Sequence, residues 1–127
     1  MLDTSVVIDL HLVDPAVLPR WPAITTVTIA ELSVGPLLAR TDEERSTRQL
    51  HLQLAESAFD PLPFDVDAAR AFATVSMSLR RAGRKPAART FDAMIAAIAL
   101  ARQLPLYTAN AADLRGVEGL QLVEVER

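Results

Sequence analysis

From Phe91 to Ala101 the chain reads Phe-Asp-Ala-Met-Ile-Ala-Ala-Ile-Ala-Leu-Ala, apolar at every position except Asp92. A helix that is apolar all round has no face to offer water and must be covered on most sides. The uninterrupted run, Ala93 to Ala101, is too short to cross a bilayer. The cover therefore has to come from the rest of the chain. With 127 residues, that is enough for one layered core and too little for two, so a single domain over 1–127 is expected.

The remaining segments supply the layers. A short β-branched strand ends near Asp3, and a helix follows that Thr4 or Ser5 could cap. A second strand runs over 23–26 and leads into a helix over about 27–40, where Pro36 predicts a kink or an early end. Thr41-Asp-Glu-Glu44 is a helix start with a capping box, opening a helix to about Phe59 that Pro61 and Pro63 stop. Asp65 caps a further helix that ends at Gly83. A basic loop with Pro86 follows, then the apolar helix over about 90–103, then strands at 105–108 and 120–125. Strands alternating with helices predict an α/β fold with a parallel sheet covered on both faces. In such sheets ligands bind beyond the carboxyl ends of the strands, where Asp3 and Thr108-Ala-Asn110 fall.

The absence of Cys excludes disulfides, thiolate metal sites and a Cys nucleophile. Six aromatic residues leave the core to aliphatic side chains. The net charge of −3 gives no overall pull on a polyanion. Arg80, Arg81, Arg84, Lys85 and Arg89 nevertheless lie close together with no acid among them, a candidate contact for an RNA backbone or an ordinary solvated helix end. Asp3 stands where a secretory leader carries positive charge, so a cytoplasmic protein with no membrane segment is expected.

Four acids stand out from the sixteen. Asp92 interrupts the apolar helix, and a carboxylate there is paired, metal-bound or at an exposed end. Glu31 shares a helical stripe with Val27, Val34, Gly35 and Leu38. Asp3 ends a strand, and Asp113 follows the Thr108-Ala-Asn110 strand end. Each alone has an ordinary reading: helix-dipole partner, surface glutamate, helix cap and turn residue. Together at one sheet edge they would repel one another unless a cation joined them. Oxygen donors without nearby His or Cys favour Mg²⁺ or Mn²⁺ over zinc, and His11 and His51 read as uninvolved.

The four segments resemble the motifs of PIN-domain ribonucleases from end to end. Asp3-Thr4-Ser5-Val6 is similar to the first motif, Thr28-Ile29-Ala30-Glu31-Leu32 to the second and Phe91-Asp92-Ala93-Met94-Ile95-Ala96-Ala97 to the third. The fourth is matched by Leu106-Tyr107-Thr108-Ala109-Asn110-Ala111-Ala112-Asp113-Leu114. The resemblance implies a three-layer α/β/α sandwich around a mostly parallel sheet. It implies Asp3 and Asp92 as principal Mg²⁺ ligands, with Mn²⁺ as a substitute. Glu31 and Asp113 would be further catalytic carboxylates, acting indirectly or on a second metal ion. Ser5, Thr108 and Asn110 would orient the site or the substrate.

Stand-alone chains of this size resemble VapC-type toxins of VapBC toxin–antitoxin pairs. Such toxins hydrolyse RNA with Mg²⁺-activated water, work as homodimers and are silenced by a cognate VapB-type antitoxin. The alternative is a PIN-like module that binds RNA or a partner without cutting. Other phosphoryl enzymes fit less well. A dehalogenase-type phosphatase needs Asp at position 5, which is Ser; a receiver domain needs paired acids after strand one; and no Gly-rich phosphate loop is present.

Overall fold

The computed structural model describes residues 1–85 and 89–127; the Pro86 expected in the basic loop lies outside the described residues. Among the described residues there are five α-helices: α1 (Thr4–Ile8), α2 (Thr26–Val34), α3 (Asp42–Ala58), α4 (Val66–Arg81) and α5 (Thr90–Ala101). Two strands, β1 (Leu106–Thr108) and β2 (Leu122–Glu124), pair in parallel with Leu106 opposite Leu122. The sheet continues through shorter extended pieces. Leu2 bridges Tyr107 in parallel, the Leu2 amide donates to the Ala23 carbonyl at 2.8 Å, and Thr25 bridges Leu62 in parallel.

Alternation along these pieces divides the interior into two cores, as the period of a strand requires. Met1, Ala23, Leu62, Leu106 and Leu122 face α4 and α5. Leu2, Ile24, Tyr107 and Val125 face the side built from α1, α2 and α3, with Val6, Val7, Leu32 and Ala55. This is the expected α/β/α layering with parallel pairing. The apolar helix is the most deeply covered element: Ala93, Ile95, Ala96, Ala97, Ile98 and Ala99 have no exposed surface. Its four fully buried alanines let α4 approach closely, and Ala68, Val75 and Leu79 of that helix fill the contact.

Several boundaries differ from those read in the sequence. The helix expected over 27–40 stops at Val34, and Gly35–Leu38 continue as a 3₁₀ turn. Pro36 is the reason: it has no amide hydrogen for the next α-helical bond. The stripe expected beside Glu31 is split as a result, with Val27 buried but Val34 and Leu38 exposed. The Leu62 edge piece was not expected, because Pro61 and Pro63 read as a stop; at the rim of a sheet their missing donors are tolerated. At the end of α4, Gly83 adopts φ +75°, and the Arg84 amide donates to the Leu79 carbonyl at 2.9 Å. That closing turn ends α4. No described helix is long and apolar enough to cross a membrane.

Replacing the fully buried Leu79 by Ala removes packing between α4 and α5 and should destabilise by about 2–5 kcal/mol. Leu37→Ala, at a side chain 83% exposed, should stay within about 0.5 kcal/mol of the parent. Urea unfolding of the two variants checks the assignment of core and surface.

Candidate active site at the carboxyl edge of the sheet

Asp3 ends the first extended piece and also caps α1. Its carboxylate accepts from the Val6 amide at 3.3 Å and from the Ser5 hydroxyl at 2.5 Å. Thr4 or Ser5 was expected as the cap; both hydroxyls are engaged elsewhere. Ser5 Oγ accepts from the Ala109 amide at 3.1 Å, which ties the start of α1 to the end of β1. Thr4 Oγ1 donates to Glu31 Oε1 at 2.7 Å and lies 2.9 Å from Thr28 Oγ1. A hydroxyl carries one hydrogen. Thr4 gives its own to Glu31, so Thr28 is the donor between the two threonines. Thr4 and Thr28 are buried, and the chain Thr28–Thr4–Glu31 fixes the glutamate from behind.

Asp92 occupies the first turn of α5 and is half-buried. Burial raises its pKa most; the charges of Asp3 and Asp113 raise it further, and Arg89 opposes them. Glu31 is also raised, chiefly by burial. The hydrogen bond from Thr4 works against that rise, and the charges of Asp92 and Asp3 add to it. Asp92 therefore stands within electrostatic reach of Asp3, Glu31 and Asp113, and Glu31 within reach of Asp3, although the four come from separate segments. Among the described residues, no group of three or more His, Cys, Asp or Glu side chains is arranged to hold a metal ion. Donor chemistry of this kind suits an ion that keeps water in its shell and takes one or two carboxylates, as Mg²⁺ does.

The other expected residues divide. Asp113 lies in the 3₁₀ turn Ala111–Leu114, with its Oδ1 3.6 Å from Arg89 Nη2. Thr108 is fully buried, and its hydroxyl accepts from the Asn110 amide at 3.0 Å; it shapes the turn after β1. Asn110 precedes the 3₁₀ turn and makes no side-chain cap there. Arg80, Arg81 and Lys85 are exposed and Arg84 is half-buried around the end of α4. Among the described residues Arg89, of the five basic ones, is ion-paired with a carboxylate.

Two features were not anticipated. Thr4 and Thr28 sit beside acids in the motifs, but nothing in the spacing signals a contact across 24 residues. His51, read as uninvolved, lines a cleft of about 630 Å³ together with Thr4, Glu31, Leu32, Glu44 and Arg48. It also lines an adjoining groove of about 390 Å³ with Ile8, Leu54 and Phe59. His51 is on the same face of α3 as Glu44 and Arg48, at helical spacing, a relation visible in the sequence only once that face is known to meet α2.

Residues 1–119 match the PIN domain. The chain belongs to the PIN-domain family. It is 38% identical to Ribonuclease VapC5 of Mycobacterium tuberculosis, over all of this chain and 93% of the relative, a likeness to VapC-type members along the full length. It is also similar to the crystal structure of VapBC-5 from M. tuberculosis, a member of the VapBC family of toxin–antitoxin systems. There the TM-score is 0.82 at 39% identity, covering 98% of this chain and 96% of the other. VapBC2 from Rickettsia felis, bound to a promoter DNA fragment, gives a TM-score of 0.76 at 18% identity, covering 99% and 100%; that likeness speaks for the PIN fold alone.

Crowded carboxylates have a measurable consequence in the metal-free protein. A carboxyl whose pKa is raised by folding holds its proton more tightly in the native state. Its contribution to stability is present below the ordinary carboxylate range and is lost as pH rises through the raised value. At neutral pH the ionised Asp92 therefore opposes the fold. Asp92→Asn should melt above the parent at pH 7 in EDTA, and the gap should narrow as pH falls below the ordinary carboxylate range. A variant melting no higher than the parent at pH 7 would reject this crowding.

Proposed function

We propose that the chain is a metal-dependent endoribonuclease, the toxic member of a VapBC-type toxin–antitoxin pair, acting in the cytoplasm. The observation that carries the reading is the gathering of Asp3, Glu31, Asp92 and Asp113 at one sheet edge, where Asp92 is raised by burial and by two like charges. An arrangement that opposes the fold is the kind retained for function. A ribonuclease among its full-length relatives supports the same reaction.

In this reading Asp3 and Asp92 hold Mg²⁺, or Mn²⁺ in its place, with Asp113 beside them. The ion, when bound, activates water and offsets charge on the phosphate. Glu31, anchored through one carboxylate oxygen by Thr4, uses the other to take the proton of the attacking water. Its raised pKa brings it nearer the working pH of a general base. Ser5 holds Asp3 in place, while Thr108 and Asn110 set the turn that presents Asp113. In-line attack then leaves 5′-phosphate and 3′-hydroxyl ends. The basic end of α4 and the segment 111–118 pack together, since Ser78 Oγ accepts from the Glu118 amide at 3.2 Å. Arg80, Arg81, Arg84 and Lys85 at this end offer phosphate contacts, whereas Arg89 of the same basic group is turned to Asp113.

An antitoxin of the VapB type is the proposed partner. The cleft beside Glu31 and the groove that continues it along α3 combine an apolar floor with acids at one end. That suits an amphipathic segment carrying arginine. The exposed Val34, Leu37, Leu38 and Leu50 offer a second apolar face for a homodimer.

RNA cleavage in Mn²⁺ should cease with EDTA and fall about a hundredfold or more in Asp92→Asn. Product ends decide the chemistry: a 2′,3′-cyclic phosphate would exclude hydrolysis by an activated water. Cleavage lost with folding and RNA binding intact in the parent would favour the non-cutting alternative. Separately, Arg84→Ala with Lys85→Ala should flatten the salt dependence of RNA binding, by about 1.4 in the log–log slope for a single strand. An unchanged slope would remove this basic end from the RNA path.

A further inference from the structure

Arg89 is placed unlike the other cations of its group. It stands at the N-cap of α5, three residues before Asp92, and its side chain is 27% exposed. Its guanidinium meets Asp113 Oδ1 at 3.6 Å, longer than a direct charge-assisted hydrogen bond. Its Nε is shielded from water and has no hydrogen-bond partner among the described residues. A half-buried guanidinium with one donor unsatisfied is not held by good geometry. What favours its position is the field of the surrounding carboxylates. Arg89 thus serves as an internal counter-cation, and Asp113 is the acid it occupies.

A carboxylate paired with arginine is a poor ligand for a divalent ion: the same oxygens are sought by both, and the two cations repel. We propose that Arg89 keeps Asp113 out of the metal's coordination, so that the free protein loads one divalent ion, on Asp3 and Asp92, and not two. The inference rests on the metal-dependent reading above. It makes Arg89 a positioning residue that acts through Asp113.

Titration calorimetry with Mn²⁺ on the full chain, without RNA, tests it. The parent should take one ion, and Asp92→Asn should lose it. Arg89→Gln should bind Mn²⁺ about fivefold tighter or more, or take a second ion. That gain should vanish in the double variant Arg89→Gln/Asp113→Asn, because the carboxylate released by Arg89 is gone. Arg89→Lys, which keeps the charge, should retain one ion. Equal gains in the single and double variants would show that Arg89 acts by charge alone, and would overturn the proposal. Unchanged binding in Arg89→Gln, or two ions in the parent, would overturn it as well. Should Arg89→Gln fail to fold, Asp113→Asn decides: parent-like affinity and stoichiometry support the proposal, and a loss of the parent's ion refutes it. A parent that binds no Mn²⁺ at all would defeat the metal-dependent reading itself, a result distinct from each of these.

Discussion

Parallel pairing is the constraint from which the site follows. Every described bridge in the sheet is parallel, from β1 with β2 to Leu2 with Tyr107 and Thr25 with Leu62. Neighbouring extended pieces therefore point the same way and release their chain at one edge. Asp3 leaves there into α1, Thr25 leaves there into α2, and Thr108 leaves there into the turn bearing Asp113. Residues 3, 31 and 113 are distant in the chain and meet because topology returns them to the same rim. Most of these pieces are two or three residues long, so little of the sheet's stability comes from its own ladder. The two cores pressing on its faces hold it in place.

That rim is an expensive place for acids, and the surrounding groups show how the expense is limited. Asp3, the most buried of the four, receives the Ser5 hydroxyl and the Val6 amide. Glu31 receives the Thr4 hydroxyl. Asp113 faces Arg89. For Asp92 the causes acting on its pKa include a single favourable charge, Arg89, against two unfavourable ones and burial. The least compensated carboxylate is thus the one on the most deeply buried element. A flexible support would let it turn to water, whereas the buried body of α5 holds its first turn at the sheet edge.

Much of this was legible in the chain. Thr41 accepts from the Glu44 amide and Asp65 from the Ala68 amide, as local capping patterns require. The apolar run predicted a buried helix, and α5 is one. Local signals served well where a local interaction decides the structure. They served poorly where a contact crosses the sheet. The Thr4–Thr28 bond, the Leu62 edge piece and His51 in the cleft each depend on which elements become neighbours. The stripe beside Glu31 misled for a related reason. Its apolar residues read as core, yet Pro36 breaks the helix and leaves Val34 and Leu38 facing outward. The gathering of the acids was legible because four weak motifs occur in one order along the chain; no single one of them specifies it.

The position of Asp92 within α5 is itself constrained. Residues 93 and 95–99 are fully buried between α4 and the sheet. A carboxylate at any of them would lie in an apolar interior with no partner and would be neutralised or would break the fold. At the far end, residues 100–101 lead into the start of β1, whereas Asp113 follows its carboxyl end. The first turn is the one part of the helix that is both anchored by the core and open to the rim. It also presents free amide dipoles that favour a negative charge. An acid required at this edge on this helix is therefore confined to about one turn, and Phe91, 54% exposed, shows how quickly the environment changes from one residue to the next.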